Sequence, residues 1–254
     1  MSDAPAELVH LEVAGPVATI TLDSPHNRNA LSRQLVGELF DRLERAAGND
    51  DVRVVLLRSA DRVFCSGADL SEAVGGSMVE GAQRILALQR LLLTSRTAVV
   101  VRLAGPVRAG GIGIVAAADV VVASEEASFA LTEVKLGLAP AVISQTVFGR
   151  MAPRAAALAA LGGETFGGAE AAAWGLVTEV VAADRLDQRV DEVVASLATG
   201  AAQGLRETKA LLNRPLVAAL DDRGDDLAEL SARLFGSEEA RSAMAAFLAR
   251  PQGA

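Results

Sequence analysis

Two glycine-rich turns are the parts of this 254-residue sequence best suited to chemistry. The stretch RAGGIGIVAAAD, 108–119, places Gly110, Gly111 and Gly113 within four positions, and FCSGADLSE, 64–72, is a second turn of small residues between a strand and a helix. Glycine leaves the backbone bare, so another helix or a reacting atom can come close. Two such turns behind two parallel strands can aim two backbone N–H groups at one point, which makes an oxyanion hole. A helix N-terminus behind the glycines adds its dipole.

Other chemistries fit less well. Gly111-x-Gly113-x-x-Ala116, with Glu133 about twenty residues on, satisfies a dinucleotide-binding fingerprint. Its context does not: Gly105, Pro106 and Arg108 intervene after the preceding strand, the helix is short, and the acid lies well beyond the next strand. The absence of a following Gly-Lys-Ser/Thr excludes a phosphate-binding P-loop. Cys65-Ser66 has no G-x-S-x-G frame, and the two histidines, His10 and His26, both lie upstream. No Cys/His/Asp/Glu grouping has metal-ligand spacing. Asp69 reads as the cap of a helix that begins there.

The elements that must hold these turns follow from pattern. Residues 8–13 and 17–22 form a hairpin through Gly15-Pro16. Ser32 caps a helix with Leu35, Leu39 and Leu43 at helical spacing. Strands are predicted at 52–57, 98–103 and 120–123, with helices at 79–93 and 112–118. From Pro153 the chain becomes helical, at 153–161, 184–198, 203–213, 221–235 and 237–249. The whole is an α/β chain with repeated β–α units on a mostly parallel sheet, then a helical region whose apolar faces call for neighbouring subunits. Half of the residues are hydrophobic, enough for a substantial core, and the formal charge of −8 argues against a nucleic-acid surface. The lone Cys65 fits a reducing cytoplasm. No signal peptide or membrane span is read.

VFCSGADLSE, then LAGPVRAGGIGIVAAADVVVAS, then ASFALTEVKLGLAP resemble, in that order, the enoyl-CoA hydratase/isomerase (crotonase) family. The resemblance runs from NRNALS to SAMAAFLAR. It implies a crotonase-like ββα spiral over 1–195, holding the active site, and a C-terminal helical trimerisation region over 196–254, assembled as a homotrimer or a dimer of trimers. It implies acyl-CoA substrates, with coenzyme A as part of the substrate and no other cofactor. By position the oxyanion donors are the N–H groups of Ala68 and Gly110, and Glu133 is the catalytic acid. Ser66, Ala68, Asp69, Leu70 and Ser71 line the thioester and pantetheine, together with Gly110, Gly111 and Gly113. Arg28 and Ala30 contact the nucleotide part.

One departure matters. Two-carboxylate hydratases of the family carry a first Glu where this chain has Gly113. Glu133 lies between two apolar stretches, and partial burial there raises a carboxyl pKa; Lys135 nearby could lower it. The leading expectation is hydration of a 2-enoyl-CoA, with Gln83, Gln89, a backbone carbonyl or a substrate carboxylate holding the water. The alternatives are a 3-enoyl- to 2-enoyl-CoA isomerase using Glu133 alone, and a CoA-binding protein with little activity.

Overall fold

The computed structural model describes residues 6–72 and 78–248. Residues 1–5, on which the absence of a signal peptide was partly read, and 249–254, the end of the expected trimerisation region, lie outside them.

β1 (Val9–Ala14) and β2 (Val17–Leu22) form the expected antiparallel hairpin. α1 (Arg33–Gly48) starts at Ser32, whose hydroxyl accepts from the Leu35 N–H at 3.2 Å. β3 (Val54–Ser59), α2 (Met78–Thr94) and β4 (Ala98–Leu103) follow. β5 (Val107–Arg108) leads into α3 (Gly110–Ala117), then β6 (Val120–Ser124) and β7 (Ser128–Ala130). Then come α4 (Ser144–Arg150), α5 (Pro153–Gly162), β8 (Phe166–Gly167), α6 (Gly168–Ala173) and β9 (Glu179–Val181). The chain ends in α7 (Leu186–Ala198), α8 (Ala202–Phe235) and α9 (Glu238–Leu248).

The larger sheet has the order β1-β2-β3-β4-β6-β9, parallel from β2 onward. Both of its faces are covered, as a parallel sheet requires. Val55, Leu57, Val99 and Val101 pack with Leu35, Leu39 and Leu88, whereas Val54, Leu56, Val100 and Val122 pack with Leu186, Val190 and Val194. A smaller sheet, β5-β7-β8, lies at the turns. Its strands are two or three residues long, too short for a sequence period to show.

Two expectations change. The helices predicted at 203–213 and 221–235 are one helix, α8, running through Pro215. Proline deletes a hydrogen bond and crowds the preceding turn, but buried partners flank it. Lys209 is 5 % exposed, lies 2.7 Å from Asp119 and donates to the Thr97 carbonyl at 2.9 Å. Asn213 donates to Asp119 and Leu93 and accepts from Arg150 at 2.9 Å, while Leu216 and Leu220 enter the core. The Arg150 guanidinium also donates to the Ala116 carbonyl at the C-terminal end of α3 at 3.1 Å. In the second change, no helix begins at Asp69. Its carboxylate folds a tight turn, accepting from the Ser71 N–H at 3.0 Å and the Ser71 hydroxyl at 2.6 Å.

Candidate active site

The two turns are knitted side by side. Phe64 N–H donates to the Pro106 carbonyl at 3.0 Å and Arg108 N–H to the Cys65 carbonyl at 2.9 Å. On the outer side Leu31 N–H donates to the Gly67 carbonyl at 2.8 Å, and on the inner side Ala109 N–H donates to Ala130 at 3.0 Å. Segments 28–31, 65–68, 107–109 and 128–130 therefore lie as adjacent rungs. Gly67 has φ +98°, and a Cβ on it would stand 3.0 Å from the Ala109 Cβ. Ala109 itself has φ 45° and ψ −120°. A non-glycine residue held there costs on the order of 1–3 kcal/mol, and such strain collects at functional sites. Gly110 opens α3, so its N–H has no partner in the helix ladder.

Ala68, Ala109 and Gly110 line a cavity of about 240 Å3 together with Glu133. Ser66, Asp69 and Leu70 line it too, whereas Arg28, Ala30, Ser71, Gly111 and Gly113 lie outside its lining. Gly111 and Gly113 serve packing instead. A Cβ on Gly111 would lie 2.6 Å from Cys65 Cβ; one on Gly113 would collide with Ile143 Cγ2 and sit 2.9 Å from Ile143 Cβ. Arg28 and Asn29 have φ of 57° and 54°. The buried Asn29 amide braces this loop, accepting from Ser24 N–H at 2.7 Å and donating to Val63 O at 3.0 Å. Asn29 was missed on sequence because its role is visible only once three segments meet.

Glu133 opens a 3-10 turn, Glu133–Leu136, just after β7. Its Oε2 is buried without a hydrogen-bond partner, alone in this among the described side chains. Burial pushes the carboxyl up to about 7, opposed by its own backbone N–H. Lys135 is turned to Glu164, 2.8 Å away. Cys65 is buried, with its thiol pushed up to about 12 by desolvation, so it is no nucleophile. The Ser66 hydroxyl donates to the Asn27 carbonyl at 2.9 Å.

Neither expected water-holding glutamine lines the cavity, although Gln89 Oε1 would stand 3.3 Å from a Cβ on Gly113. The Gln89 amide is committed: it donates to Val142 O at 2.8 Å and Ile85 O at 3.2 Å and accepts from Thr146 at 2.5 Å. Gln83 lies in a separate groove with Arg90 and Asp221. Ile143 lines the cavity and abuts Gly113. Introducing a carboxylate at Gly113 therefore meets a filled space rather than a vacant socket. Gly113→Ala is expected to lower unfolding stability by about 1–3 kcal/mol, the scale of overpacking, and Gly113→Glu by more. Chemical denaturation of both variants checks this, and full stability of Gly113→Glu would contradict it.

The family model for enoyl-CoA hydratase/isomerase matches residues 12–253. The chain belongs to the enoyl-CoA hydratase/isomerase family. The crystal structure of an enoyl-CoA hydratase from Mycobacterium avium superposes with a TM-score of 0.90 at 43 % identity, covering 96 % of each chain. The 1,2-epoxyphenylacetyl-CoA isomerase of Escherichia coli (strain K12) is 28 % identical over 96 % of both chains. The (E)-benzylidenesuccinyl-CoA hydratase of Thauera aromatica is 29 % identical over 79 % of this chain and 80 % of its own. The fold is thus crotonase-like, with its helical C-terminal region in α8 and α9, and the family acts on acyl-CoA substrates. No described helix is long and apolar enough to cross a membrane.

Proposed function

We propose that this enoyl-CoA hydratase/isomerase family member moves a proton at the α-carbon of an enoyl-CoA thioester, with Glu133 as its one acid–base group. The supporting observation is the buried, unpartnered Oε2 of Glu133 in the same cavity as Ala68 and Gly110. In the forward step the carboxylate takes a proton from C2 of a 3-enoyl thioester. The electron pair enters the carbonyl, and the resulting enolate oxygen is held by the two N–H groups. The same carboxyl then returns the proton at C4, leaving the double bond between C2 and C3. This isomerisation needs no second carboxylate, and the Ile143–Gly113 contact favours it over hydration.

Hydration, placed first on sequence grounds, remains the second reading because hydratases stand among the named relatives. It needs a water held at C3, for which neither glutamine is available. The exposed Leu158, Leu161, Leu211 and Leu212 support self-association of the kind expected for a trimer.

The pH profile tests the role of Glu133. Isomerisation starts from the carboxylate, so kcat/KM on a 3-enoyl-CoA is expected to rise through about pH 7 and then level off. Stability has the opposite sign. The folded pKa is raised, so stability is fully present below the unfolded value of about 4.5 and falls as pH rises through 7. A kcat/KM that is flat between pH 5.5 and 8.5 would count against this role.

A further inference from the structure

Several polar side chains line the cavity without a part in the proposed reaction, and Ser231 stands out among them by its burial in an apolar part of the lining. Ser231, on α8, is 8 % exposed and lines the cavity that contains Glu133. Among the described residues its hydroxyl has no hydrogen-bond partner. Helical serines commonly bond back to a carbonyl three or four residues earlier, but Ser231 reaches neither Leu227 nor Ala228. Unlike Glu133 Oε2, it is not sealed from water-sized molecules. Its fellow lining residues are largely apolar, including Ile85, Leu138, Val142, Ile143 and Phe235. A hydroxyl that faces an apolar recess and is reached only by water can exchange that water for a ligand oxygen.

We infer that Ser231 is a specificity-determining residue whose hydroxyl bonds a neutral oxygen on the acyl group, so that the preferred substrates are acyl-CoA thioesters bearing a hydroxyl or keto oxygen along the chain. This rests on the enoyl-CoA reading above. A carboxylate substituent fits poorly. The cations lining the cavity, Arg33 and Arg84, stand beside Glu72 and Glu80 at 3.7 and 2.7 Å, and Glu133 would repel a second acid. A neutral oxygen has no such conflict and can donate to or accept from Ser231.

The test compares hexanoyl-CoA with 4-, 5- and 6-hydroxyhexanoyl-CoA by calorimetric titration, in the parent protein and in Ser231→Ala. Alanine is the better helix former, so folding is not at risk. At least one hydroxylated ligand is expected to bind more tightly than hexanoyl-CoA. Its preference is expected to fall by about tenfold in Ser231→Ala, the scale of one hydrogen bond, and to return in Ser231→Thr. If all three hydroxylated ligands bind more weakly than hexanoyl-CoA, or if the preference survives in Ser231→Ala, the inference is overturned while the functional reading stands. Failure to bind any of the thioesters, with no turnover of any enoyl-CoA, would overturn both.

Discussion

Glu133→Gln is expected to lower kcat by about 10²–10⁴-fold on the best enoyl-CoA substrate, the range for loss of a general acid–base group. The change keeps shape and removes the titrating proton. Thioester affinity should change far less, because no hydrogen bond to Oε2 exists to be lost. The variant should also be more stable than the parent above pH 7. There the parent carries a carboxylate that burial disfavours. That gain should fade as pH falls toward 4.5, where both folded and unfolded chains are protonated. Lost activity with gained stability is the mark of a group placed for function at a cost to the fold. Steady-state kinetics and melting curves across pH read both effects, and a kcat within threefold of the parent would remove Glu133 from the reaction.

Removing the Ala68 N–H is expected to cost about 10²–10³-fold in kcat, or 3–4 kcal/mol of transition-state stabilisation. Ala68→Pro deletes that donor. The position pairs with Leu31 on the neighbouring segment, so circular dichroism must first show a folded protein. Replacing the Ala68 amide with an ester, by incorporating lactic acid, removes the same N–H without the ring and covers the case in which proline is not tolerated. A folded variant of either kind with near-parent activity would show that Ala68 does not hold the developing oxyanion.

The legible and illegible parts of this molecule divide along physical lines. The β1–β2 hairpin, the Ser32 cap and β4 are local patterns, and each lies where period and turn chemistry put it. α8 was read as two helices because Pro215 is a local signal, while the buried Lys209, Asn213 and Leu216 that carry the helix through it belong to partners far along the chain. The glycines show the same limit. Gly110, Gly111 and Gly113 look alike in sequence, yet Gly110 faces the cavity while the other two are pressed against Cys65 and Ile143. A missing Glu at Gly113 was legible; the isoleucine occupying its space, thirty residues away, was not. Ser231 is an ordinary helical serine until α8 is laid along the cavity.

The most direct measurement follows trans-3-hexenoyl-CoA and trans-2-hexenoyl-CoA, matched in length, with the parent protein and with Glu133→Gln. One assay reads appearance of the conjugated thioester from the first substrate, and the other reads its disappearance from the second. On the proposed reading, in which Glu133 is the acid–base group and Ile143 stands against Gly113, isomerisation should exceed hydration by about 10²-fold in kcat/KM, the scale of one absent acid–base group. It should collapse in Glu133→Gln. Hydration as fast as isomerisation, or isomerisation that survives Glu133→Gln within threefold, would contradict the account.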